Sequence, residues 1–165
     1  MSSILKAALS SRGPGPRPRE DSVANCTKTH LLKVLDCIRK VNQCKKLDDA
    51  IEMIIDEICS ILECDRATLF MVDLSSSSLV VRVGKGAKNI RIPLTSGIAG
   101  SVYETGKHLN IPDAYKHPKF NKSVDAKTGY KTKSILCQPV RDANNKIVAV
   151  LQVVNKLKLP IFTSE

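Results

Sequence analysis

The apolar residues of this 165-residue chain change their spacing at Cys64, and no other feature constrains the fold as much. Before that point the spacing is helical. In HLLKVLDCIRKVNQCKK, positions 31, 34, 35, 38 and 41 make one stripe, and in LDDAIEMIIDEICSIL, positions 51, 54, 55, 58, 61 and 62 make another. Asp48 and Asp49 sit at the positive end of the second helix, and Lys45 and Lys46 suit the end of the first. The first stripe also fits a heptad (31, 34, 38, 41), which allows pairing with a second chain but is too short to define a coiled coil. Beyond Cys64 the period becomes that of strands. ATLFMVD, LVVRV and IRIPL read as three strands, the first two joined by the LSSSS turn. GIAGSVYETG is a short helix bounded by glycines, and KHLNI is a brief strand closed by Pro112. SILCQPV and KIVAVLQVVNK are two further strands, joined by the hairpin turn RDANNK, whose Asn and Asp tolerate left-handed backbone. Helices first, then strands in hairpin order, predict an α+β domain: a central, mostly antiparallel sheet with N-terminal helices packed on it.

Residues 1–22 stand apart from this pattern. They carry no acid before Glu20, and GPGPRPR holds neither a helix nor a ladder strand. The expectation is a disordered basic arm, with a mitochondrial presequence as the alternative, followed by one domain over 23–165. No apolar run approaches the roughly 18 residues of a membrane span. The balance of 26 basic to 16 acidic residues, +10 net, favours phosphate-bearing partners, although a solvated lysine surface is the simpler reading. The six cysteines form no CxxC pair and lie mostly within apolar helix or strand patterns, and the three histidines have no ligand-pair spacing. Reduced thiols in a cytoplasmic protein, without a metal site, are expected.

Catalysis is not expected. The chain contains no G-x-S-x-G, HExxH or Walker loop, and GKG and GIAG are too short to be a phosphate motif alone. Single-strand nucleic-acid binding needs exposed aromatic platforms, whereas this chain has three Phe, three Tyr and no Trp. A ligand-binding module remains. The stretch NKSVDAKTGYKTKSILCQPV, residues 121–140, sets a polar half directly against a core strand. Asp125, Thr128 and Thr132, at i, i+3 and i+7, can project from one side of a helical turn and its exit. Alternatively, Asp125 merely caps the turn or pairs with a neighbouring lysine.

The run from Ile90 to Lys156 contains GIAG, LNIPDAY, HPKFN, VDAKTGYKTKSILC and VNK in that order. It closely resembles the GAF domains of mammalian-type cyclic-nucleotide phosphodiesterases, and the likeness extends from about Leu31 to the C-terminus. The resemblance implies a regulatory module that binds cyclic AMP or cyclic GMP and supports dimerisation, with 121–132 as a lid helix and loop over the ligand pocket. It places Thr68 near the base, main-chain groups of Ile98, Ala99 and Asn121 near the phosphate and ribose, and Asp125, Thr128 and Thr132 in the lid. Asn155, Lys156 and Phe162 match a family signature, Asn-Lys-(spacer)-Phe-x-x-x-Asp, that the resemblance assigns to locking the lid structurally. The closing Asp would be residue 166, past the terminal Glu165, and neither a C-terminal helix nor a phosphodiesterase catalytic domain follows. A fragment or truncated product of a longer signalling protein is therefore expected. Where cyclic-GMP binders of the family have an aromatic residue and an acid, this chain has Gly84 and Lys85. Guanine presents N1–H and an amino group, whereas lysine has donors and no acceptor, so Lys85 favours cyclic AMP. The rival expectation is a ligand-free dimerisation or scaffold module using the helix near 31–41, and a third is a redox or small-molecule sensor using the cysteines.

Overall fold

The structure, a computed structural model, describes residues 20–84, 90–159 and 161–162, with side chains from residue 28 onward except those of Val83 and Gly84. Residues 1–19 of the expected arm and the Lys85 site lie outside it. Helix α1 spans Glu20–Val41 and so begins within the stretch read as an arm. Pro18 is the last residue barred from a helix interior, and Glu20 and Asp21 then suit a helix N-terminus. The helix ends at Val41, five residues before the expected limit, because the amides of Gln43 and Cys44 turn back to the carbonyls of Lys40 and Val41.

Helix α2, Leu47–Leu62, opens with Asp48 and Asp49 and stops at Glu63, whose left-handed backbone (φ 46°) reverses the chain. Six strands follow: β1 (Cys64–Asp73), β2 (Ser78–Gly84), β3 (Arg91–Pro93), β4 (Leu109–Ile111), β5 (Ile135–Arg141) and β6 (Ile147–Lys156). All neighbouring strands run antiparallel, in the order β3-β2-β1-β6-β5-β4. Between β3 and β4 lies helix α3, Gly97–Thr105; between β4 and β5 lie a 3-10 turn, Ala114–Lys116, and helix α4, Lys122–Thr128.

The period-2 alternation of the long central strands β1 and β6 supplies two cores, one on each face. On one face Ile51 and Ile55 of α2 pack with Cys64, Ala67, Val153 and Phe162. On the other, Ile98, Ala99 and Val102 of α3 pack with Leu79, Ile135, Cys137 and Val150. Helix α1 lies against α2 and leaves its apolar stripe open, with Leu31 58%, Leu35 53% and Ile38 52% exposed. The α2 end of the domain is also charge-paired, through Arg82 Nε on Asp48 at 3.1 Å. No helix among the described residues is long and apolar enough to cross a membrane.

Candidate functional site

On the α3 face of the sheet a cavity of about 280 Å³ opens between strands β1 and β6 and helices α3 and α4. Its floor is Thr68 and Phe70 of β1 with Ile135 and Gln152 of the far strands. Thr68 and Gln152 are directly opposed across the β1–β6 ladder, which puts a hydroxyl and an amide side by side. Val81, Ile90 and Ile92 form the apolar rim.

One wall is the first turn of α3, Ser96 to Ala99. Gly97 enters it at φ +69°, in left-handed backbone that glycine adopts without a Cβ penalty. Gly100 then lets the helix approach Thr95 so closely that a Cβ would lie 2.3 Å from the Thr95 carbonyl carbon. The Ser96 side chain makes no capping bond, and Gly100 N is the first amide bonded back, to the carbonyl of Ser96. The amides of Gly97, Ile98 and Ala99 therefore have no carbonyl partner within the helix and sit at its positive end. This wall offers hydrogen-bond donors.

The opposite wall is the lid: Phe120, Asn121, Val124, Asp125 and Thr132. Asn121 caps α4, its Oδ1 accepting from the Ser123 amide at 3.0 Å. Asp125, 5% exposed, is the hub. Its Oδ2 accepts from the Thr132 amide at 2.7 Å and the Tyr115 hydroxyl at 3.0 Å, and its Oδ1 accepts from Thr132 Oγ1 at 2.9 Å. The bond to Asp125 raises the Tyr115 phenol above its ordinary range, so it remains a donor. Because the Thr132 proton is committed to Asp125, only its oxygen lone pairs remain for another molecule. Asp125 and Thr132 thus face the cavity as acceptors. The Tyr115 ring packs on Phe120 with centroids 5.3 Å apart, and Lys119 Nζ ties the lid's approach to α3 through Ser101 Oγ at 3.1 Å.

Of the residues expected at the site, Thr68, Ile98, Ala99, Asn121, Asp125 and Thr132 line the cavity together. Thr128 does not: it lies exposed on the outer side of α4, its hydroxyl donating to the Val124 carbonyl at 2.9 Å, as helix-interior threonines do. The alternative in which Asp125 pairs with a lysine is replaced by the Thr132 and Tyr115 bonds. Gln152, Phe70, Phe120 and Val124 line the cavity without having been expected there. Gln152 had a signal, as the one polar residue inside IVAVLQVV.

The three signature residues sit in three separate places. Asn155, at φ +57°, accepts from the Lys133 amide at 2.6 Å and donates to the Lys131 carbonyl at 3.0 Å and the Tyr130 hydroxyl at 2.9 Å. It clamps the lid's exit onto β6. Tyr130 itself donates to Asp65 and lies under the Arg66 guanidinium, 4.0 Å from the ring centroid; burial and the Asp65 bond hold its phenol well above the usual range. Lys156, the residue after Asn155, turns to the α2 side, where its Nζ donates to the Leu62 carbonyl at 2.8 Å and closes the end of α2. Phe162 fills the α2-side core, and its carbonyl accepts from Asn110 Nδ2 at 2.7 Å. Among the described residues no group of His, Cys, Asp and Glu is arranged to hold a metal.

The chain matches the family model for the GAF domain over residues 46–165. It is similar to a probable 3',5'-cyclic phosphodiesterase, pde-5, of Caenorhabditis elegans: 35% identical over 138 residues, covering 74% of this chain and 19% of the relative. It is also similar to dual 3',5'-cyclic-AMP and -GMP phosphodiesterases, 11 of Drosophila melanogaster (33% over 129 residues, 67% of this chain, 9% of the relative) and 11A of Takifugu rubripes (32% over 135 residues, 74% and 15%). The chain spans less than one fifth of the length of each relative. Among solved structures, the GAF domain of a phosphoenolpyruvate-protein phosphotransferase from Coxiella burnetii superposes with a TM-score of 0.71 at 20% identity, over 82% of both chains. A free methionine-R-sulfoxide reductase from Neisseria meningitidis superposes at 0.64 and 14% identity, over 82% of this chain and 77% of the other. At these identities the likeness to solved structures is one of fold.

Proposed function

The chain belongs to the GAF domain family, and from that premise we propose that it is a regulatory domain whose cavity binds a cyclic nucleotide and controls a phosphodiesterase-like signalling protein. The matched region is a GAF domain and not a catalytic one. The observation that carries the reading is the polarity of the cavity. Amides without an intrahelical partner at the start of α3 suit an anionic phosphate. Asp125 and Thr132 on the lid repel an anion and suit a hydroxyl or amino donor, and Phe70, Phe120 and Val124 suit the flat apolar faces of a base. A molecule with an anion at one end and donors at the other satisfies both walls at once. The volume lies near the lower end of small-molecule pockets, roughly 300–1,000 Å³.

Titration calorimetry with cyclic AMP, cyclic GMP, adenosine and guanosine tests this. Binding of a cyclic nucleotide with at least tenfold preference over its nucleoside is expected, since the nucleoside lacks the group that the α3 wall takes. Equal affinity for both, or no binding of either, removes the reading. Cyclic AMP is the favoured ligand on the Lys85 argument, and competition with Lys85→Asp checks it: the preference shifts toward cyclic GMP, by roughly tenfold to a hundredfold for a buried mismatch of about 1–3 kcal/mol. The proposed setting is cytoplasmic, where thiols remain reduced.

A second reading, a ligand-free module for self-association, is supported by α1. Five large apolar side chains, Leu31, Leu32, Val34, Leu35 and Ile38, are 42–58% exposed along it. A second copy of the chain with the same helix is the proposed occupant of that face. The two readings are compatible, and calorimetry separates a binding dimer from a purely structural one.

A further inference from the structure

The net charge of +10 is concentrated on one short stretch of the described chain. Residues 116–133 run from the end of the 3-10 turn through helix α4 to the approach to β5, and they carry six lysines against one acid, Asp125. The other described residues hold 14 basic and 14 acidic residues, so with histidine counted as neutral their formal charge cancels. All six lysines are exposed, whereas Asp125 is buried and bonded to Thr132 and Tyr115. Lys116 pairs with Asp113 at 3.2 Å, and Lys119 approaches Glu104 at 3.7 Å. Lys122 lies 5.6 Å from the Tyr115 ring centroid. Among the described residues no carboxylate pairs with Lys122, Lys127, Lys131 or Lys133. These lysines alternate with residues that line the cavity: Lys122 follows Asn121, Lys127 stands two residues beyond Asp125, and Lys131 and Lys133 flank Thr132. Neighbouring Cα atoms are about 3.8 Å apart, so the charges lie within about one Debye length, roughly 8–10 Å, of the lining backbone.

We propose that the lid lysines steer the anionic ligand to the cavity, so that Lys122, Lys127, Lys131 and Lys133 set its association rate without taking part in its bound geometry. The inference rests on the cyclic-nucleotide reading above and adds to it the residues that act during approach. The two surfaces of the lid have opposite preferences. Its outer lysines attract an anion, whereas Asp125 and Thr132 on its inner side repel one, and the amides that suit a phosphate stand across the cavity at the start of α3. An anion drawn in by the lysines therefore leaves them behind as it binds. Charge of one sign around a cleft raises the on-rate of a counter-ion by about 10–1,000-fold, and a ligand with a single charge falls at the low end, about tenfold. Dissociation begins with the phosphate on the far wall, so it depends little on the lysines. A merely solvated basic surface would leave the association rate insensitive to them.

The test is stopped-flow binding of 2-aminopurine riboside 3',5'-cyclic monophosphate, a fluorescent near-isostere of cyclic AMP, to the full chain at about 20 and about 300 mM salt. Two triple variants accompany the native protein: Lys127→Gln, Lys131→Gln and Lys133→Gln together, and the same three lysines changed to Glu. The lid clamp uses the Lys131 carbonyl and the Lys133 amide, so neither triple variant removes a clamp bond. The native association rate should fall about tenfold from low to high salt. At low salt the Gln variant should associate about threefold more slowly than the native chain, and the Glu variant more slowly again, each with a flatter salt dependence. Dissociation rates should agree within about twofold throughout. A native association rate that changes less than about twofold with salt would overturn the proposal. So would equal rates for the Gln and Glu variants, which would make the effect one of lid shape, or a loss that appears in dissociation instead. Failure of the native chain to bind at either salt concentration would remove the cyclic-nucleotide reading itself.

Discussion

Gly100 carries the tightest backbone constraint at the cavity. A methyl group there would lie 2.3 Å from the Thr95 carbonyl carbon and 2.9 Å from its oxygen, and backbone on both sides cannot yield as a flexible side chain does. Gly100→Ala should therefore cost about 1–3 kcal/mol, the range for overpacking, seen as a lower midpoint in urea. An unchanged midpoint would mean that the turn before α3 moves freely. Asp73 is the counterpart among charged residues. Its carboxylate accepts from Ser75 and Ser76 in the β1–β2 turn and from Arg91 Nη1 at 2.9 Å, bonds that hold its pKa well below the ordinary carboxylate range. A depressed folded value stabilises the protein above the unfolded one and loses that contribution as pH falls below it. Asp73→Asn should accordingly lower the melting temperature at pH 7, with the difference from the native chain narrowing only below about pH 4. A difference that already narrows between pH 7 and 5 would assign the effect to another group.

At the scale of elements, the lid is a seven-residue helix, too short to be stable alone, held by contacts at both ends. Asn121 caps its start, Asp125 ties its middle to Thr132 and Tyr115, and Asn155 clamps its exit. If the lid closes on a ligand, the amides of 122–133 should exchange faster in the empty domain than with cyclic nucleotide bound, and Asn155→Gly should accelerate exchange there in both states. Glycine accepts the φ of +57° without strain, so this variant removes the clamp's hydrogen bonds without straining the backbone. Exchange that is equally slow with and without nucleotide would make the segment a fixed part of the fold.

For the whole molecule, the open stripe of α1 is the surface from which association is expected. Leu35→Asp with Ile38→Asp should convert a dimer to a monomer in sedimentation analysis, with little change in the monomer's own melting, because both side chains are more than half exposed. A native chain that sediments as a monomer at high concentration would exclude this interface. The element order was legible, and the strand limits to within two or three residues (β1 begins at Cys64, three residues before ATLFMVD), because each rests on local periodicity: the α2 stripe, the alternation in β1 and β6, and the glycine-bounded α3 all repeat within a few residues. Asp125 and Thr132 were legible as a pair for the same reason, both being carried by one short segment. Three things were decided only by the folded chain. Gln152 joined Thr68 because antiparallel pairing opposes residues 84 positions apart, a register that neither strand specifies alone. Thr128 left the site because the helix turned its hydroxyl back to Val124. Asn155, Lys156 and Phe162, neighbours in one signature, were sent to the lid, to the end of α2 and to the far core, because adjacent strand residues face opposite sides of a sheet and the chain after β6 crosses beneath it.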